Sequence, residues 1–120
     1  MDAADTRTGP PRSERRTYAL VSDLMDRSRI SATLPATEFV RDVAACTGAD
    51  VVLVDLARFG ADVAALRAAL PSARLVCFGP HVDDVAANAA RAAGADAVLA
   101  RSRFFRDPLA AIDPSAAPDH

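Results

Sequence analysis

Four places along the chain combine residue type and position in a way that permits chemistry. Ser22-Asp23 closes the apolar run TYALVS, Asp55 closes DVVLVD, Gly79 closes ARLVCFG, and Arg101 follows DAVLA. Two carboxylates converging near a guanidinium form a chemical site if these runs lie side by side. Paired acids can hold Mg²⁺, which takes oxygen ligands and keeps several waters. A carboxylate can also attack phosphorus and give an acyl phosphate. Plainer readings stand beside these. Asp23 can be a helix N-cap with Asp26 in the first turn. Asp55 can be the partner of Arg101 in a simple salt bridge, and Gly79 before Pro80 can be only a turn.

Elements of two kinds must position these residues. The strand candidates are TYALVS (17–22), DVVLVDL (50–56), ARLVCFG (73–79) and DAVLA (96–100). Unbroken Val and Leu suit strands covered on both faces, as in parallel sheets. Helical patterns lie between them. Asp23 opens one through Met25, Asp26 and Ile30. ATEFVRDVAACTG puts Phe39, Val40, Val43 and Ala44 on one face, with Gly48 as its stop. ADVAALRAAL ends at Pro71, VDDVAANAARAAG ends at Gly94, and RSRFFRDPLAAI allows a short helix near Pro108. The alternation predicts an α/β fold, an open parallel sheet with helices on both faces. SATLPAT (31–37) is poor strand material, so the second strand is expected to be reduced or absent. Residues 1–16 and 113–120 read as polar tails around a domain at 17–112.

Composition removes several functions. A 120-residue chain that is 51% apolar is one globular domain rather than a disordered chain. All 14 basic residues are arginine, which excludes a G-x-x-x-x-G-K-[ST] phosphate loop outright. Abundant Ala, Arg and Pro also suggest a GC-rich genome. No G-x-G-x-x-G, G-x-S-x-G or D-x-H-x-x-G motif occurs, so independent catalysis is not expected and the protein reads as a non-enzyme. A net charge of −2 and the lack of a basic helix argue against direct nucleic-acid binding. No apolar run is long enough to span a membrane and no signal peptide is evident, so a cytoplasmic location is expected. Cys46 and Cys77 read as small core residues, and His81 as a loop residue. Phe104 and Phe105 read as a packed turn, or as one buried ring and one offered to a partner.

The residues at the strand ends carry a resemblance. DVVLVDLARFGAD resembles the third strand, phosphoacceptor aspartate and following loop of a CheY-like receiver domain of bacterial two-component response regulators. LVSDLMD is similar to the first strand and its acidic turn. AAGADAVLARSRF is similar to the family's AGA-x-x-(apolar)-K-P-F ending. The resemblance covers residues 17–112. It implies phosphorylation at Asp55, a Mg²⁺ site built from Asp23, Asp55 and the Ala57 carbonyl, and switch positions at Gly79, Val98 and Arg101.

The departures from the family alter that chemistry. Ser22 takes the place of one of two acids, which leaves the expected Mg²⁺ site weak or vestigial. Gly79 stands where a hydroxyl would follow the phosphoryl group, and Val98 where an aromatic ring would follow the hydroxyl. Arg101 replaces a lysine, and its larger planar fork pairs readily with carboxylates. Arg101 is therefore expected to bind Asp55 permanently. The reading is a stand-alone pseudo-receiver that acts through protein–protein contacts with phosphorylation lost or vestigial. The alternative is an active single-domain response regulator phosphorylated on Asp55 with Mg²⁺. Partners would be a sensor kinase or a regulator. A missing second strand would leave TYALVS as an open edge, so a homodimer or heterocomplex using this edge or the short final-helix face is also expected.

Overall fold

A strand with no polar interruption needs apolar cover above and below. The computed structural model, which describes residues 15–79 and 84–113, supplies it. The chain runs β1 (Thr17–Leu20), α1 (Leu24–Thr33), β2 (Glu38–Phe39), β3 (Val51–Asp55), α2 (Leu56–Phe59), α3 (Val63–Ala69), β4 (Arg74–Gly79), α4 (Asp84–Ala93), β5 (Ala97–Ala100), α5 (Arg101–Arg106) and α6 (Pro108–Ile112). Short 3₁₀ turns occupy Ala44–Cys46 and Gly60–Asp62. The five strands form one all-parallel sheet in the order β2-β1-β3-β4-β5. This is the flavodoxin-like order.

The two-residue period of the strands sorts the core into two layers. Leu20, Val52, Val54, Leu75, Cys77 and Val98 face one way, onto Val63 and Leu66 of α3 and Ala90 of α4. Ala19, Val21, Val51, Leu53, Val76 and Phe78 face the other, onto Ile30 of α1, Phe104 of α5 and Ile112 of α6. Burial pushes the thiols of Cys46 and Cys77 up to about 11 and about 12, so both behave as small core groups.

Three local expectations change. The helix expected across ATEFVRDVAACTG does not form. Glu38 and Phe39 pair with Tyr18 and Ala19, and the Val40 amide extends that ladder by donating to Ala19 O at 3.0 Å. Asp42 then caps a single tight turn through the Ala45 amide, at 2.9 Å. Backbone pairing with β1 overrides the helical spacing of the side chains. The second strand is accordingly present but only two residues long. It follows that TYALVS is not an open edge, because β1 has β2 on one side and β3 on the other. Finally, RSRFFRDPLAAI holds two helices instead of one. Asp107 caps the second through the Ala110 amide, and Pro108 starts it.

The packed unit also reaches past the expected boundaries. Asp113 is buried and pairs with Arg15 at 3.2 Å, and the Arg16 amide donates to Asp50 Oδ2 at 2.9 Å. The remaining tail residues, along with Pro80 and His81, lie outside the described residues.

A single arginine ties the amino-terminal end of this sheet together. Arg67 Nη1 donates to the carbonyls of Leu70, Pro71 and Ala73, and Nη2 to Gly94 O and Asp96 Oδ2. Asp96 Oδ2 in turn accepts from the Leu75 amide at 2.8 Å. Gly94 has φ +122°, and a Cβ there would meet Arg67 Cβ at 2.6 Å. Arg67→Ala is expected to lower unfolding free energy by about 2–3 kcal/mol in denaturant melts, because several carbonyls lose a charged donor together. Arg67→Lys should restore only part of this, since an ammonium cannot span the same fork.

Candidate functional site

The carboxyl ends of β1, β3, β4 and β5 open on one edge of the sheet, where open α/β sheets carry their ligand sites. β1 runs through Val21 to Ser22 and Asp23. Asp23 is the N-cap of α1, and its Oδ1 accepts from the Asp26 amide at 3.0 Å. Asp26, three residues on, shares the inward face of α1 with Ile30, and both are buried. β3 delivers Asp55, only 5% exposed, whose Oδ1 accepts from the Ala57 amide at 3.1 Å and caps α2. β4 ends at Gly79, which lies beside Ala100 of β5. Arg101 is the first residue of α5.

The guanidinium of Arg101 does not bond Asp55. Its Nη1 forms an ion pair with Asp26 Oδ2, and that carboxylate is 4% exposed. The expected pair of Arg101 with Asp55 is thereby corrected. An arginine is long enough to reach past the strand ends to α1, and Asp26 is the more sheltered acceptor on its route. Asp55 remains within electrostatic reach. Burial raises its pKa above the ordinary carboxylate range. The Ala57 amide and the Arg101 charge pull it back down, while Asp26 and Asp23 push it up. The hydrogen bond that Arg101 donates to Asp26 and the nearby acids together hold Arg101 more firmly charged, against the opposing effect of burial.

The donor set does not match what Mg²⁺ requires, which is several free oxygens in near-octahedral array. One Asp23 oxygen caps α1, one Asp55 oxygen caps α2, and Asp26 is paired with Arg101. The Ala57 amide donates to Asp55 from the first turn of α2. Among the described residues no group of three or more His, Cys, Asp or Glu side chains could hold a metal ion. The Arg101 guanidinium pairs with one of the three acids, Asp26.

Gly79 has no side chain. Val98 is buried opposite Cys77 in the α3/α4 layer. The ring beside the site comes instead from Phe78. It lies 5.9 Å from the Arg101 guanidinium, stacks on Phe104 at 4.7 Å and meets Phe105 edge-on at 5.6 Å. Phe104 is fully buried and Phe105 partly so, which settles these two as a packed turn. Asp26 and Phe78 are the residues that strand-end reasoning passed over. The signal for Asp26 was its place four residues before Ile30 on the apolar stripe of α1.

Solved structures share this fold. A response regulator from Burkholderia pseudomallei, determined with a phosphorylated aspartic acid, calcium ion and citrate, superposes with a TM-score of 0.73 at 18% identity, over 86% of this chain and 69% of that one. A response regulator from Hahella chejuensis gives 0.68 at 20% identity, over 82% of this chain and 92% of that one. No protein-family model matches the chain, and no curated protein matches its sequence. The chain therefore has the CheY-like receiver fold.

Two outcomes follow from the geometry. Arg101→Ala leaves a buried carboxylate unpaired and should lower stability by about 3 kcal/mol. Combined with Asp26→Ala, the second substitution should cost much less than it does alone, a coupling that a double-mutant cycle in urea reads directly. For Asp55, folding raises the pKa, so the folded protein holds that proton more tightly than the unfolded chain. Stability is then lost as pH rises from the ordinary carboxylate range through the raised value. Asp55→Asn keeps the cap of α2 and removes the buried charge. It should melt a few degrees above the parent at neutral pH, with the gap closing below about pH 4 in a thermal-shift series.

Proposed function

We propose that this protein is a pseudo-receiver, a signalling module of receiver fold that works through protein–protein contacts and in which phosphoryl transfer to Asp55 has lapsed. The ion pair between Arg101 and Asp26 carries the reading. Phosphoryl transfer to an aspartate needs charge neutralisation by a cation free to meet the incoming oxygens. Here the guanidinium is bonded to α1, and the metal-binding donors are engaged in helix caps. Nothing at positions 79 and 98 would transmit a new charge to the surface, since one residue has no side chain and the other is a buried valine.

The surface beside the site suits contact with another protein. Leu24 and Met25, in the first turn of α1, are 77% and 73% exposed. They flank Asp23 and present apolar area at the rim of the same working edge. Contacts made there would sense the position of α1, and α1 is fixed by the pair between Asp26 and Arg101.

The decisive experiment is incubation with Mg²⁺ and acetyl phosphate or beryllofluoride, followed by intact mass and amide NMR. The expected result is no phosphoryl mass increment and no saturable shift at Asp23, Asp55 or Ala57. An adduct that disappears in Asp55→Asn would replace this reading with an active receiver.

A further inference from the structure

On the working edge, away from the paired acids, lies a second concavity of a different character. Its volume is about 420 Å³. It is built by three adjacent strands. β1 supplies Ser22, β2 supplies Val40 and Arg41 just after Phe39, and β3 supplies Arg58 and Phe59 of α2. Arg27 of α1 completes it. The chain leaves β1 for β2 on one side and β3 for β4 on the other, so this is where the strand order reverses. Crevices at such reversals are the usual ligand sites of open α/β sheets.

Three arginines and no acid line the cavity. Arg27 is held in place, with its Nε donating to Val21 O at 2.8 Å and its guanidinium 5.1 Å from the centre of the Phe39 ring. Those contacts fix the side chain and leave its terminal nitrogens available. Arg41 and Arg58 are exposed, and no carboxylate among the described residues pairs with any of the three. Arg15, Arg67 and Arg101, by contrast, each pair with an aspartate. The acids next to them along the chain are engaged elsewhere: Asp23 accepts from the Asp26 amide, Asp26 pairs with Arg101, and Asp42 accepts from the Ala45 amide. Three like charges gathered in one hollow repel one another until an anion enters.

We infer that this hollow is a binding site for a small organic phosphate. Guanidinium forks match phosphate oxygens two at a time, and a dianion balances more than one of them. The Ser22 hydroxyl adds a neutral donor. Phe59 and Val40 give the apolar wall against which a ring or chain attached to the phosphate can lie. The volume falls within the range of small-ligand sites and suits a mononucleotide-sized molecule. The inference stands on the cavity alone and is independent of whether Asp55 accepts phosphate.

The test is titration of the full chain with inorganic phosphate, pyrophosphate and AMP, read by amide and arginine Nε–H NMR. The expected result is saturable shifts at Ser22, Arg27, Arg41 and Arg58 with all three, and AMP binding more tightly than inorganic phosphate with a shift of the Phe59 ring. The double variant R41S/R58S, at exposed positions, should keep its melting temperature and lose at least about tenfold in AMP affinity, the loss of one charged hydrogen bond or more. R103S/R106S, at exposed arginines on α5, should bind as the parent does. The inference is overturned if shifts fail to saturate, if they spread over exposed arginines at large, or if R41S/R58S binds as the parent does. Binding of an acidic peptide with none of the phosphates would also overturn it.

Discussion

A carboxylate almost wholly out of water must be paired, and Asp26 is paired by a residue 75 positions away. That requirement fixes more than one contact. The start of α1 is set by the Asp23 cap, so Asp26 must arrive one turn later and Ile30 one turn after that. Arg101 must then reach α1 from the first residue of α5, which begins directly after β5. An arginine at the start of a helix sits against the helix dipole, and the Asp26 carboxylate offsets this. α1 and α5 lie on the same face of the sheet and share the aromatic and aliphatic layer around Phe78 and Ile30. The ion pair closes that layer at its open end.

The same pair decides what the strand ends can do. In a phosphoaccepting site the cation belongs to the reaction, because it meets charge that appears only as the phosphoryl group arrives. Here the cation belongs to the ground state. Asp55, only partly helped by Arg101 and hemmed in by two other acids, is held with a raised pKa that burial sets first. On the proposed reading, a phosphoryl group arriving at Asp55 meets a guanidinium already bonded to Asp26.

The sheet was legible where its strands are buried on both faces. Val51–Val54 and Leu75–Phe78 have no alternative to a doubly covered strand, and their ends placed Asp55 and Gly79 correctly. Elements whose form depends on a neighbour were not legible. Glu38 and Phe39 become a strand only because β1 offers unpaired backbone at Tyr18 and Ala19, and nothing in the local spacing of ATEFVRDVAACTG records that. The site shows the same division. Backbone termini were readable from pattern, but the partner of a seven-atom side chain was not, so Arg101 was assigned to the acid at the nearest strand end. Asp26 was visible as a first-turn acid and also as a member of the Ile30 stripe. The second property, burial of a charge, was the one that mattered, because a buried acid demands a cation wherever one can reach.

This demand divides the working edge into two electrostatic regimes. Around Asp26 the protein supplies its own counter-charge through Arg101. Around Arg27, Arg41 and Arg58 no carboxylate of the described residues is paired, although acids outnumber arginines by 16 to 14 over the whole chain. Had the three arginines been placed only for solubility, nothing would favour their convergence in one hollow at the strand-order reversal, with one of them braced by Val21 O and the Phe39 ring. Charge left unpaired in a concave, partly apolar site is poised to gain more from an anion than the same charge spread on a convex surface, because the low-dielectric walls concentrate its field. The strand ends thus present acids held by helix caps and one guanidinium on one side of Ser22, and three arginines on the other.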